Sequence, residues 1–157
     1  MPEYPPLIVG IDPGASGGIA AIALRPPSSV LATLAYPMPD TEADTAAILE
    51  DLRPAITMAY IEAVHAFPGQ GVTSMFTFGQ NYGFLRGLLV GLKIPFQEVT
   101  PMKWKKDLRL TFSKSDSKKD KKNASKQRAQ QWFPHVKMTH SIAEALLIAE
   151  WGRRQNL

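Results

Sequence analysis

The chain has 157 residues, 45% of them apolar, and a formal net charge of +4. That is enough for one globular domain with a real core, residues 1–157, and excludes a disordered chain. It contains no cysteine, which excludes disulfides, thiolate metal sites and cysteine nucleophiles and suits a reducing compartment.

No apolar run approaches the length of a membrane span. Met1-Pro-Glu-Tyr-Pro-Pro6 lacks the basic patch and apolar stretch of a signal peptide, and residues 1–6 are expected to be flexible. An apolar run, Ile8, Val9 and Ile11, then stops at a carboxylate, Asp12. Pro13-Gly-Ala-Ser-Gly-Gly18 turns the chain into a second apolar run, Ile19 to Leu24, which predicts two adjacent antiparallel strands. An ionised carboxylate ending a buried strand is costly unless it meets a cation or a donor network. Alternatively, Asp12 caps the turn through backbone amides.

Val30 to Tyr36 predicts a third strand after the turn Pro26-Pro-Ser-Ser29, with Pro37 and Pro39 ending it. Asp44 to Arg53 predicts a short helix with Ile48, Leu49 and Leu52 on one face, ended by Pro54. Ala59 to Val64 predicts a fourth strand, with Glu62 among apolar neighbours. A loop rich in turn residues follows, His65 to Gly71. Ser74 is the expected cap of a long helix running to about Leu92. Its apolar residues exceed one narrow stripe, so it is either central or shared with a second subunit. Gly79, Gly83, Gly87 and Gly91 recur every four residues, which suggests close approach of another backbone, from a partner or from the sheet.

Ile94 to Val99 predicts a fifth strand, and Pro101 opens a short helix, Met102 to Leu108, carrying Trp104. Residues 113–122, polar and basic, are expected to form a mobile loop. Asn123 is the expected cap of a helix through Phe133, stopped by Pro134. The last helix starts near His140 or Ser141, carries Glu144 one turn in, and ends with Arg153-Arg154, which favour its negative end. This order describes an α/β domain with no internal repeat.

Lys103 to Arg128 holds eleven Lys or Arg and three Asp, a balance of +8, while the rest of the chain carries −4. Such segregation predicts an electropositive surface for a polyanion, nucleic acid being the commonest. The plainer reading is a loop kept soluble by lysine.

Three acids, Asp12, Glu62 and Glu144, occupy contexts that are not surface-like. No lysine or arginine lies near them in sequence, and burying them unpartnered would cost several kcal/mol each. Oxygen ligands of this kind suit Mg²⁺ or Mn²⁺. His140 precedes Glu144 by four residues, so both can face one way on a helix. Two metals roughly 4 Å apart would clamp the attacking and leaving oxygens of a phosphodiester.

Gly10-Ile-Asp-Pro-Gly14, Ile61-Glu62, the Gly-rich apolar helix, the basic segment and Ala143-Glu-Ala-Leu146 together resemble the RuvC-type Holliday junction resolvases, including their phage and chloroplast branches. The resemblance runs from about Leu7 to Arg154. It implies a ribonuclease H-like fold, a mixed five-stranded sheet flanked by α-helices. It also implies a homodimeric, Mg²⁺-dependent endonuclease, with Mn²⁺ able to substitute, that nicks two opposed strands of branched DNA in the cytoplasm or in an organelle. Asp12, Glu62 and Glu144 match the family's catalytic acids, although the family usually has Asp where this chain has Glu144. The fourth ligand falls on His140 or Ser141, with His140 favoured. Lys126 resembles the family's lysine near the scissile phosphate. Lys118, Lys119, Lys121 and Lys122 would contact phosphates. In the resolvases the loop carrying His65, Phe67 and Gln70 reaches the junction centre, where an aromatic can stack on an opened base pair; Phe67 could equally fill a local core. The dimer would form through the Ser74–Leu92 helix.

Three other readings share parts of the pattern. A flap or RNA–DNA hybrid nuclease on the same fold would carry the same acids. The Gly-Ile-Asp-Pro-Gly turn also resembles a phosphate loop of the actin, Hsp70 and sugar-kinase ATPases, but 157 residues cannot supply their two lobes. A non-catalytic junction-binding module would keep the acids as structural groups.

Overall fold

Both faces of the opening strand are apolar, and both are covered. The computed structural model describes residues 3–25, 33–110 and 112–157. β1 (Leu7–Asp12) pairs antiparallel with β2 (Gly18–Ala23), and β2 antiparallel with β3 (Thr33–Pro37). β4 (Ile56–Glu62) runs parallel to β1, and β5 (Phe96–Val99) parallel to β4. The order β3-β2-β1-β4-β5 is the mixed five-stranded sheet that the resemblance implies.

Side chains alternate across a strand, so odd and even positions of β1 meet different layers. Leu7, Val9 and Ile11 join Ile19, Ala21, Ala59 and Ile61 against α1 (Glu42–Leu52) and α2 (Val72–Gly91). Ile8 joins Ala20, Ile22 and Tyr60 against α3 (Pro101–Asp107), α4 (Lys118–Trp132) and α5 (His140–Gln155). Position 10 faces the second layer. A Cβ there would run into the carbonyl of Ala145 and the backbone of Ala149, so glycine lets α5 lie directly on β1. Gly152 repeats the device, giving its space to the ring of Tyr60. Trp151 stands edge-on to that ring, 5.3 Å between centroids, and its Nε1 donates to Asp107 Oδ2 at 2.8 Å, tying α5 to α3.

Several boundaries differ from expectation. α2 starts at Val72 behind Gly71 and not at Ser74, because the extended Gly71 already occupies the capping position, without a side-chain bond. Only Leu85 and Leu89 of α2 are buried, so it is not a central helix. A Cβ at Gly79, Gly83, Gly87 or Gly91 would meet nothing within 4 Å, so the sheet is not what approaches the glycine row. α4 starts at Lys118, five residues before Asn123. Ser117 Oγ accepts the N–H of Asp120 while Asp120 Oδ2 accepts that of Ser117, a reciprocal cap that turns residues 118–122 from expected loop into helix. Residues 4–6 are tied to the body: Tyr4 packs on the α1–α2 side and the Pro6 carbonyl accepts the Leu24 N–H. The expected turn at residues 26–29 and strand start at 30–32 lie outside the described residues.

The α5–β1 contact sets a stability prediction. Gly10→Val should cost about 3 kcal/mol or more, because the added atoms meet backbone that no rotamer change can move. Urea unfolding of the two proteins measures the difference.

Candidate active site

The alternation that sends Ile8 and Gly10 toward α5 also sends Asp12 there, at the end of β1. On β4, Tyr60 faces the same layer, and so does Glu62 two residues on. Ile11 is in register with Ile61, so Asp12 and Glu62 end neighbouring parallel strands side by side. α5, seated over Gly10 through Ala145 and Ala149, brings Glu144 down onto them. One carboxylate oxygen from each of the three lies within 4.8 Å of the other two.

Such a cluster is electrostatically unfavourable by itself. Burial, then the charges of Glu144 and Glu62, push the Asp12 carboxyl well above its usual range; Lys105 and Lys122 pull it back. Burial and then Glu144 raise Glu62 to about 7, against the opposing hydrogen bond from Trp104 and the charge of Lys105. Concentrated negative charge with oxygen-only donors is the environment a hard divalent cation stabilises, so the trio fits a metal such as Mg²⁺ or Mn²⁺.

The surroundings hold the trio in place. The Thr100 side chain caps α3 and Pro101 opens it, which fixes Trp104, fully buried, with Nε1 donating to Glu62 Oε2 at 2.7 Å. Lys105 on the same helix places Nζ 3.2 Å from Glu144 Oε1, over the ring of Trp104. Buried Ser125 of α4 donates to the same oxygen at 3.4 Å. Lys105, Trp104 and Ser125 lie far from their carboxylates in sequence, and periodicity could not pair them. The one usable signal was that a buried indole N–H needs an acceptor.

A small cavity of about 120 Å³ sits on the cluster, lined by Asp12, Ser16, Lys122, His140, Ala143 and Glu144. His140, the first residue of α5, reaches it but stands outside the carboxylate trio. Ser141 instead turns its carbonyl toward Gly18. The lysine lining the cavity is Lys122; Lys126, one turn further along α4, does not line it. Lys118 and Lys119 are exposed and Lys121 is partly buried. His65, Phe67 and Gln70 lie on the exposed loop after β4. Phe67 is 61% exposed and fills no local core, and its N–H donates to Gln70 Oε1 at 3.3 Å.

The chain superposes on Thermus thermophilus RuvC with a TM-score of 0.63 at 16% identity, covering 96% of both chains. The fold is that of RuvC. A second RuvC structure from that organism, in complex with a Holliday junction substrate, matches with a TM-score of 0.61 at 17% identity over 95% of this chain and 96% of that one. In sequence, the chain is 32% identical over 108 residues to the chloroplastic Holliday junction resolvase MOC1 of Chlamydomonas reinhardtii. That match takes in 65% of this chain and 12% of the length of the relative. No protein-family model matches the chain. The RuvC fold thus accounts for the sheet that carries Asp12 and Glu62 and for the helix that carries Glu144.

The raised Glu62 carboxyl makes metal-free stability fall with pH. The folded state keeps this proton to about 7, whereas the unfolded chain releases it near 4.5, so this group's contribution to stability is fully present below 4.5 and is lost as pH rises through 7. The full shift corresponds to about 3 kcal/mol, less where Lys105 and the other acids readjust. Glu62→Gln should flatten this slope and stabilise the metal-free protein at pH 8, by chemical unfolding in EDTA.

Proposed function

We propose that the chain is a metal-dependent, structure-selective endodeoxyribonuclease that resolves four-way DNA junctions by paired symmetric nicks. The observation that carries this is the meeting of Asp12, Glu62 and Glu144 within 4.8 Å on a RuvC fold, beside a lysine-rich helix. The likeness to a chloroplastic Holliday junction resolvase, and to a RuvC solved with a Holliday junction, supports four-way DNA as the substrate.

Asp12, Glu62 and Glu144 would hold Mg²⁺, two ions in the full site, with His140 at the cavity wall as the fourth ligand and Mn²⁺ as a substitute. Bound there, the ions supply a water of lowered pKa and a Lewis acid at the leaving oxygen. Trp104 fixes the orientation of Glu62 through its N–H, and buried Ser125 does the same for Glu144. Lys105 neutralises Glu144 in the metal-free protein. Lys122 offers its charge to the phosphate entering the cavity, with Lys126 adding to the positive face behind it. Lys118, Lys119 and Lys121 extend that face for backbone contacts, which gives affinity a steep salt dependence. His65, Phe67 and Gln70 reach toward the junction centre, where the exposed Phe67 ring has a base to stack on. Among the described residues no helix is long and apolar enough to cross a membrane. The compartment we assign is the cytoplasm of a bacterial or phage-infected cell, with an organelle as the alternative that the chloroplastic relative supports.

Symmetric nicks need two sites, and α2 is where a second copy would dock. Its outward side exposes Phe76 and Val90, 67% and 66%, beside the uncovered glycine row.

The reading is tested with a synthetic mobile junction against duplex, flap and RNA–DNA hybrid, in Mg²⁺, Mn²⁺ and EDTA. Paired nicks confined to the junction and to the metal-containing reactions are expected, with Asp12→Asn at least about a hundredfold slower. Preference for flap or hybrid would replace the substrate, and metal-independent binding without cleavage would replace the enzyme. Gly87→Leu should leave the chain folded, since its side chain meets open space, and should shift sedimentation from dimer to monomer.

A further inference from the structure

A second space opens on the other flank of the turn between β1 and β2. Asp12 and Ser16 line the carboxylate cavity, whereas Gly14 and Ala15 of the same turn line a groove of about 570 Å³. The two share one wall, and Gly14 is no more than about 7 Å of chain from Asp12. The first turns of α2 form the far side of the groove through Thr77, Phe78 and Asn81, and Met38 and Asp40 contribute from the segment after β3. The volume is in the range of small-ligand sites.

Three properties restrict what fits. Among the described residues no lysine or arginine lines the groove and Asp40 does, which disfavours a phosphate there, unlike the neighbouring cavity with Lys122. The Phe78 ring is 36% exposed and stands against Gly14. Gly14 has φ +103°, and a Cβ there would fall 2.8 Å from that ring, so the position is kept bare on two counts. The amide nitrogen of Asn81 is buried and has no hydrogen-bond partner among the described residues, an expensive state that a ligand acceptor would relieve. A flat ring for stacking, an unpartnered amide donor, the hydroxyls of Thr73, Ser74 and Thr77, and a carboxylate acceptor suit the neutral part of a nucleotide.

We propose that this groove receives one unstacked base of the cleaved strand, adjacent to the phosphate at the carboxylates, and that it favours a base carrying an amino group. The proposal rests on the nuclease reading above. Phe78 stacks on the base, Asn81 donates to its carbonyl or ring nitrogen, and Asp40 accepts from its amino group. Adenine, cytosine and guanine present such a group, and thymine does not.

The test is single-turnover cleavage of junctions carrying an abasic residue at each position flanking the nick, then each of the four bases at the sensitive position. One abasic position should slow wild-type cleavage about tenfold, and thymine there should be about fivefold slower than the best amino-bearing base. Asp40→Ala, at an exposed position of the groove, should bring the four bases within about twofold of one another, because it removes the acceptor for the amino group. Thr77→Trp, at an exposed position of the groove wall, should do the same by filling the space. If no abasic position slows cleavage, or both variants keep the wild-type preference, the base site is wrong while the nuclease reading stands. If the variants dissociate a dimer in sedimentation and leave base preference intact, the groove is a subunit contact and the proposal is overturned. If wild type cleaves no junction with any metal, both readings fall together.

Discussion

Helix α5 lies on β1 without an intervening layer of side chains, because position 10 has none. The carboxylate site depends on that approach. Two of its acids belong to the sheet and come together through strand register alone, whatever the helices do. The third belongs to a helix, and a helix standing off the sheet by one side-chain layer would hold Glu144 away from the other two. Cores are close-packed and poorly compressible, so a displacement at Gly10 would be felt along all of α5. The fold's most conspicuous missing side chain is therefore part of the site's geometry.

The same layer also meets the cost of gathering like charges. Trp104 and Ser125, both buried, give their hydrogen bonds to the acids, and Lys105 brings the compensating cation. Trp151 anchors the helix that carries Trp104 and Lys105 by donating to Asp107, and Glu150 secures the end of α5 through Arg153 and Arg154. Burial alone would raise the Glu150 carboxyl, but those two guanidinium groups outweigh it and hold it below its ordinary value. Two acids on one helix thus take opposite roles: Glu150 is saturated by arginine, and Glu144 is left with one lysine at 3.2 Å and a vicinity that favours more positive charge.

Much of this was legible in the chain. Apolar runs bounded by turn residues marked β1, β2 and β4, and they put Asp12 and Glu62 in apolar settings where a free carboxylate is out of place. Glu144 was recognisable for the same reason, inside an Ala-Leu-rich helix. The supporting cast was not, because Lys105 and Trp104 come from an element whose only local marks are a Thr-Pro start and a run of lysines. Local chemistry misled in two places. Ser74 looked like a cap but sits inside α2, where Gly71 had already ended the loop. Asn123 looked like another, yet the reciprocal pair Ser117 and Asp120 starts α4 earlier. That pair is itself a recognisable motif, masked by the surrounding lysines. The early start places Lys122, expected on a loop, on the helix, where it lines the carboxylate cavity.

The early start of α4 also changes the entropy of whatever the lysines bind. On a loop, Lys118, Lys119, Lys121 and Lys122 would each have to be ordered on contact, backbone included, at roughly 1 kcal/mol or more per residue. On a helix closed by a reciprocal cap, the backbone part of that cost is met when the chain folds. The charges then form a ruler of fixed spacing, 1.5 Å per residue along the axis, and only side-chain freedom remains to be lost. A polyanion whose phosphates match the ruler gains over one that does not. If these lysines bind a polyanion, a segment whose composition predicts only general attraction would thereby favour one shape over another.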